Sequence, residues 1–297
     1  MTGVVILDKP LGISSNQALG RVKRLLGEPK GGFLGTLDPL ATGVLAIFLG
    51  KATKLIEGFE GLDKTYRVRI KLGERTDTQD AEGAVIERRE LGGLDAERVR
   101  RTILATAGEQ PQSVPRFSAV KHGGVPAYKL ARRGLPVPER VRTVRLWDVE
   151  VLDVALPHAE FRVTCTAGTY MRSLADQIGE TLGVGAHVVE LRREACGRLF
   201  TLENSITLTG IGERLAKGDA AFLHNPAEFL TDHHPVTVGD ESERSLREGR
   251  AIPAGAGAPA AGANAKAVRP CGTLIAVGKV VANGPQGLRF QPTKVLI

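Results

Sequence analysis

Cysteine is scarce in this chain: Cys165, Cys196 and Cys271 are the three among 297 residues. They are odd in number, far apart, and form no C-x-x-C pair. Neither a disulfide framework nor a zinc site is expected, and a reducing cytoplasm fits. Long apolar runs are missing too. No stretch of about 18 apolar residues occurs, so no membrane span is expected. Met1 to Leu7 is a short apolar run that meets Asp8-Lys9-Pro10. It lacks the basic start and long apolar middle of a secretory leader, so none is expected. A repeating β-α unit is absent as well, which sets aside a doubly wound sheet in favour of α+β.

What is present is ordinary for a soluble globular protein: 42% hydrophobic and 25% charged residues. The length allows one large domain and one small one. The net charge is +7 and the pI about 9.5. A basic balance is the footprint of an anionic partner, most often nucleic acid. Residues 235–297 carry eight Lys+Arg against four Asp+Glu, and the preceding 234 residues carry 32 against 29. The small C-terminal part is the denser in positive charge.

Residues 4–8 read as a short buried strand. Ser14 and Gln17 have the spacing of a capping box, and Ala18, Val22, Leu25 and Leu26 supply a helical stripe that Gly27 ends. Gly31-Gly32 begins a loop to Pro39. Val44–Leu49 is a continuous apolar run, hence a buried strand. Thr65–Leu72 alternates: Tyr66, Val68, Ile70 and Leu72 share one face, and Arg67, Arg69 and Lys71 share the other. That cationic face either solvates the strand or meets phosphates. Leu94–Ala107 reads as a surface helix. Residues 111–136, rich in Pro, Gly, Lys and Arg, read as a long functional loop or arm. Val144–Val154 and Phe161–Thr166 are expected strands, and Arg172 lies where the second turns into a helix, Ser173–Leu182, ended by Gly183. Ala251–Ala267 is almost all Ala, Gly and Pro and is expected to be a flexible surface loop. Short strands follow at Thr273–Val277, Lys279–Val281 and Leu288–Phe290.

The stretch Gly35-Thr36-Leu37-Asp38-Pro39-Leu40-Ala41-Thr42-Gly43 singles out one carboxylate. Proline disfavours the helical region for the residue before it, so Asp38 is held extended in a turn. The flanking glycines let the backbone approach a ligand. On residue type alone, Asp38 is more readily a turn former and nothing more.

Gly35-Thr36-Leu37-Asp38-Pro39 resembles the signature of the TruB-type tRNA pseudouridine synthases. Asp8-Lys9-Pro10-Leu11-Gly12-Ile13-Ser14-Ser15 resembles their N-terminal motif. Lys64-Thr65-Tyr66 resembles the tyrosine segment. Pro115-Arg116-Phe117-Ser118-Ala119-Val120-Lys121 and Ala127-Tyr128-Lys129-Leu130-Ala131-Arg132 resemble the arm. Gly168-Thr169-Tyr170-Met171-Arg172-Ser173-Leu174 resembles the arginine motif, and Gly185-Ala186-His187 with Leu191-Arg192-Arg193 the segment after it. The motifs occur in family order across residues 4–200, which is far more specific than one short pattern. Leu246-Arg247-Glu248-Gly249-Arg250, Gly272–Gly278 and residues 291–297 are similar to a PUA module, an RNA-binding unit.

The resemblance implies a pseudouridine synthase fold with a mixed, mainly antiparallel sheet. It implies a catalytic domain over 1–232 with its arm at about 111–136, and a β-rich PUA-like domain over 233–297. The implied activity is isomerisation of uridine 55 in the tRNA T loop to pseudouridine. Asp38 is the implied nucleophile, Arg172 the cation that keeps it ionised, and Tyr66 the residue that stacks on the uracil. Lys9, Phe33, Tyr170 and Leu191 fall on the substrate side, with Lys9-Pro10 bracing the loop. His187 is read as a structural or RNA-contacting residue and His233-His234 as linker. No cofactor or metal is expected, because the isomerisation adds and removes no atom. The partner is tRNA and the expected state a cytoplasmic monomer. Three positions depart from the family. Phe33 stands where a histidine is usual, and its ring is available to stack on a base. Gln177 stands where an aspartate is common, with Asp176 adjacent. The loop at 251–267 is long for so small a module. The competing readings are a guide-RNA-dependent, dyskerin-like synthase and an RNA-folding module without catalysis.

Overall fold

The structure is a computed structural model that describes residues 1–118, 120–283 and 287–297, without the side chains of Lys121 and His122. Ala119 of the arm motif lies outside the described residues. The chain opens with β1 (Gly3–Lys9), α1 (Ser15–Leu26), β2 (Gly31–Phe33) and β3 (Ala41–Leu49). β4 (Lys64–Leu72) leads to a hairpin of β5 (Glu74–Thr76) and β6 (Val85–Arg88), then α2 (Ala96–Leu104) and β7 (Gly108–Ser113). The arm holds β8 (Lys121–His122), β9 (Val125–Pro126) and α3 (Ala127–Arg132). β10 (Val141–Ala155), β11 (His158–Cys165), α4 (Met171–Leu182), β12 (Ala186–Cys196), β13 (Phe200–Thr201) and α5 (Leu208–Ala216) follow. The last segment carries β14 (His234–Thr237), α6 (Asp240–Arg247), β15 (Ile252–Pro253), β16 (Asn264–Val268), β17 (Leu274–Ala282) and β18 (Leu288–Val295).

Nine strands form one sheet in the order β1-β3-β12-β4-β11-β10-β7, with β2 on β3 and β13 on β12. Its pairs are antiparallel except β3 with β12. The fold is therefore α+β with a mixed, mainly antiparallel sheet, as expected. The continuous apolar runs of β1 and β3 are buried on both faces. Val5, Leu7, Leu45 and Ile47 face the core that holds α1, α2 and α4, while Val4, Ile6, Val44 and Phe48 face a second core. β4 alternates because only one of its faces is covered. Tyr66, Val68 and Ile70 pack in the first core. Its cationic face meets carboxylates: Arg67 pairs with Glu160, Arg69 with Glu190 at 3.0 Å, and Lys71 with Glu74 at 2.8 Å. Two cross-strand ion pairs and one local pair thus occupy the charges that the sequence left open to phosphate.

The capping box at Ser14 and Gln17 is present, and Gly27 ends α1 at φ 63°. The helix expected over Leu94–Ala107 is shorter, Ala96–Leu104, with Asp95 as its cap. Gly31-Gly32 is part of β2 rather than loop, because β3 offers it a partner. The expected strands 144–154 and 161–166 run longer or shift slightly, to Val141–Ala155 and His158–Cys165.

The C-terminal reading needs two corrections. Residues 252–253 and 264–267 of the expected loop are strand. In a five-stranded sheet in the order β14-β16-β17-β18-β15, residues 252–253 form the edge strand β15 and residues 264–267 lie in β16 between β14 and β17, with Ala265 and Ala267 wholly buried. A crowded small sheet has room for alanine, and the surrounding Ala/Gly background hid the alternation. Thr273–Val277 and Lys279–Val281 are one strand, not two. Gly278 is no turn: a Cβ there would lie 2.0 Å from the Gln291 carbonyl oxygen, so it permits close approach of β18. This sheet packs on the larger one through the second core, where Phe48, Phe59, Phe200 and Phe229 meet Leu274, Val277 and Leu296. Phe200 stacks on Phe229 with centroids 4.8 Å apart.

Candidate active site

The loop that carries Asp38 is held by buried side chains from three other segments. The Ser15 hydroxyl accepts from the Leu37 amide at 2.8 Å and donates to the Leu37 carbonyl at 2.9 Å. Lys9 is wholly buried, and its ammonium donates to the carbonyls of Ile13 at 2.6 Å, Pro10 at 3.0 Å and Pro39 at 3.4 Å. Arg193, 1% exposed, donates to the carbonyls of Val44 at 2.7 Å, Gly35 at 3.0 Å and Leu34 at 3.4 Å. Gly43 is required here. Its φ is +96°, and a Cβ would lie 2.2 Å from the Arg193 carbonyl oxygen.

Arg172 sits in the first turn of α4, where the helix dipole opposes a cation. Two carboxylates offset this. Its Nε lies 3.0 Å from Asp38 Oδ2 and 3.6 Å from Asp80 Oδ2. Nη1 donates to the Thr78 carbonyl at 3.0 Å and Nη2 to the Phe117 carbonyl at 2.9 Å. The side chains of Arg172 and Asp80 are 5% and 6% exposed and that of Asp38 is 38% exposed, so Asp38 is the open member of the cluster. Asp80 is itself oriented, accepting from the Thr78 hydroxyl at 2.6 Å and the Glu82 amide at 3.1 Å.

A cavity of about 690 Å³ opens beside this cluster, lined by Asp38, Tyr66, Tyr170, Arg172, Leu191 and Arg193 among others. That is ample for one nucleoside. Burial pushes the Tyr66 phenol up to about 12, against the pull of the hydrogen-bonded Arg193 guanidinium. Tyr66 is therefore a neutral phenol at physiological pH. Burial lowers Lys9 to about 8, opposed by the Asp38 and Glu82 charges. Tyr170 has its backbone clamped by Gln112, whose amide accepts at 2.7 Å and donates at 3.1 Å. The Arg142 guanidinium lies 5.4 Å from the centre of the Tyr170 ring.

The structure thus brings Asp38, Arg172, Tyr66, Tyr170 and Leu191 to one cavity. Lys9 and Phe33 are not in its lining. Lys9 works beneath the loop as a brace. Phe33 is half-buried on β2 and packs against the first core, so it does not present its ring to the cavity. His187 is buried and bonds the Glu74 carbonyl at 3.0 Å. Asp176, beside Gln177, accepts from Arg75 at 2.9 Å and from Gln79 at 3.2 Å, and so anchors the turn that carries Asp80. Gln177 faces outward to Gln110 at 2.9 Å. All three cysteines are free. Among the described residues, no group of three His, Cys, Asp or Glu side chains is placed to hold a metal ion, and no helix is long and apolar enough to cross a membrane.

Sequence reasoning missed Asp80, Ser15 and Arg193. Arg193 had a signal: on a strand it shares a face with Leu191, two residues away. Asp80 had a weaker one, the density of Asp, Thr and Gly over 76–83, which marks a built turn.

Comparison with known proteins gives the family. Residues 23–171 match the family described as TruB family pseudouridylate synthase (N terminal domain), and residues 172–225 match the tRNA pseudouridylate synthase B C-terminal domain. The tRNA pseudouridine synthase B of Idiomarina loihiensis is 44% identical, over 85% of this chain and 82% of that protein. That of Burkholderia lata is 42% identical, over 91% of this chain and 83% of its own. A solved Cbf5-Nop10-Gar1 complex contains a chain 27% identical, with a TM-score of 0.70 over 99% of this chain and 85% of that one. The chain belongs to the TruB family of pseudouridylate synthases.

Proposed function

We propose that this chain isomerises the uridine at position 55, in the T loop of tRNA, to pseudouridine, with Asp38 as nucleophile. The observation that carries this reading is the Asp38 carboxylate, partly open at the cavity and held 3.0 Å from the buried Arg172 guanidinium. The relatives named tRNA pseudouridine synthase B support tRNA as the substrate.

The chemistry follows from the groups present. The bond from ribose to N1 is broken and remade to C5, so no atom is gained or lost and neither metal nor cofactor is required. Arg172 pairs with the Asp38 carboxylate at 3.0 Å and orients it as the nucleophile. Tyr66 offers an apolar ring to the uracil and, as a neutral phenol, a hydrogen-bond donor. Leu191 walls the pocket, and Tyr170 borders it. A stacked uridine hides its ring, so the target is flipped into the cavity at a cost of a few kcal/mol. Contacts from the arm at 111–136 offset that cost, and Arg172 ties this arm to the reacting carboxylate through the Phe117 carbonyl. We read residues 1–232 as the catalytic domain and 233–297 as a PUA-like domain that grips tRNA phosphates away from the T loop. The reading includes a cytoplasmic monomer.

The test is tritium release from tRNA carrying 5-tritiated uridine, with no guide RNA present. Wild type should release tritium, and a T-loop variant lacking the target uridine should not support release. Asp38→Asn should yield no detectable pseudouridine while tRNA affinity stays roughly unchanged. Turnover within tenfold of wild type for Asp38→Asn removes the nucleophile assignment. Dependence of wild type on an added guide RNA would favour the dyskerin-like reading instead.

A further inference from the structure

Ser118 combines two properties that no other described residue shares. It lines the substrate cavity, and its buried side-chain oxygen has no hydrogen-bond partner. The residue is 3% exposed, so solvent does not make good the missing bond. A hydroxyl left in this state is costly, and it calls for a reason. Its backbone is well held. The Ser118 carbonyl accepts from the Tyr128 amide of α3 at 3.0 Å, and the preceding Phe117 carbonyl accepts from Arg172 at 2.9 Å. Ser118 is therefore fixed between the arm helix and the cation that holds Asp38.

A uracil ring carries what this hydroxyl lacks: acceptors at O2 and O4 and a donor at N3. We propose that the Ser118 hydroxyl hydrogen-bonds the polar edge of the target uracil and keeps hold of the ring while it turns between its two attachments. This rests on the synthase reading above. The N1–C1′ bond breaks with its electron pair on the base, and the Asp38 carboxylate takes up the electron-poor C1′. The C5–C1′ bond then forms as the carboxylate lets go of C1′, C5 loses its proton and N1 gains one. Between these events, a half-turn about the axis through N3 and C6 exchanges N1 with C5 and O2 with O4. A donor that faces one carbonyl oxygen before the turn faces the other after it. One hydroxyl thus serves both states, and it can also accept from N3–H, which lies on the axis.

The experiment compares wild type, Ser118→Ala and Ser118→Thr in single turnover at saturating enzyme. The substrates are T-arm stem-loop RNAs whose target is uridine, 2-thiouridine, 4-thiouridine or 2′-deoxyuridine. On the uridine RNA, Ser118→Ala should react about tenfold more slowly with affinity within about twofold, and Ser118→Thr should recover most of the rate. On the two thio RNAs, the gap between wild type and Ser118→Ala should shrink to about threefold or less, because sulfur accepts poorly. Equal rates on the uridine RNA overturn the proposal, as does a loss confined to affinity. A gap undiminished on the thio RNAs that closes only with 2′-deoxyuridine assigns the hydroxyl to the ribose and overturns it too. If Ser118→Ala does not fold, wild type decides alone: equal rates on the uridine and both thio RNAs overturn the proposal. Wild type inactive on the uridine RNA counts against the synthase reading itself, whereas an active wild type with an unaffected Ser118→Ala counts against Ser118 alone.

Discussion

Two buried arginines line the cavity, and their partners differ. Arg172 faces two carboxylates, Asp38 and Asp80, and one of these is open to the cavity. Arg193 donates to the carbonyls of Val44, Gly35 and Leu34. A cation matched to carboxylates sets charge. A cation matched to carbonyls sets backbone position, because its planar fork fixes several oxygens at once. Arg172 should therefore matter most to reactivity and Arg193 most to the shape of the loop beneath Asp38.

Removing each arginine in turn puts this contrast to its hardest test. Arg172→Met should lower the single-turnover rate by at least about a hundredfold, since breaking a buried pair typically costs about 3–5 kcal/mol and Asp38 is only partly buried. Arg172→Lys should recover a part of this, because a point charge reaches fewer of the four partners. Arg193→Met should instead lower stability, by about 1–3 kcal/mol for the stranded carbonyls, with a rate loss of about tenfold. Denaturant unfolding and stopped-time assays on the same preparations check both. A fast Arg172→Met enzyme, or an inactive Arg193→Met enzyme of normal stability, reverses the two roles.

Lys9 extends the contrast through pH. It is a third buried cation bonded to carbonyls, and burial lowers it from 10.5 to about 8. Between pH 8 and 10.5 the unfolded chain holds a proton on Lys9 that the folded chain has released. Folding is then favoured as pH rises, and the cost of a buried charge is fully present below pH 8. Stability of wild type relative to Lys9→Met should therefore grow from pH 8 toward 10.5, measured by urea unfolding at each pH. A constant difference across that window would mean that Lys9 stays charged in the fold.

The smallest expected effect lies in the C-terminal sheet, outside the cavity lining. Arg244 and Lys279 are exposed on the C-terminal sheet and its helix. Replacing either by Glu should weaken tRNA binding and flatten its log–log salt dependence by about 0.7–0.9 for each phosphate no longer neutralised. The rate on bound tRNA should not change. Deleting residues 235–297 is a poor probe of this region, because Leu274, Val277 and Leu296 complete a core shared with Phe48 and Phe200. A rate loss on bound tRNA in the charge variants would tie this region to the cavity.

Much of this was legible in the chain itself. The Ser14 box and Gly27 mark α1, the apolar runs mark β1 and β3, and Pro39 and the two glycines mark the turn at Asp38. These signals are local, since each depends on backbone preferences of neighbours in sequence. The alternation of β4 showed which face is covered, and ordered motifs named Asp38, Tyr66 and Arg172. β12 carried motif residues yet was not read as a strand, although it lies at the centre of the sheet between β3 and β4. Phe33 was read as a stacking ring from its place in a motif, and β2 turned it against the core.

Residue order alone was enough for most of the elements and the turn at Asp38, and the family resemblance supplied the candidate Asp38–Arg172 pair. How that turn is held, and what faces it, came only with folding. Ser15 reaches Leu37, Lys9 reaches Pro39 and Arg193 reaches Gly35 across 22, 30 and 158 residues. In each case the partner is a backbone carbonyl. Every residue has one, so such a bond leaves no mark in the residue type of its acceptor, and it exists only once the chain has folded.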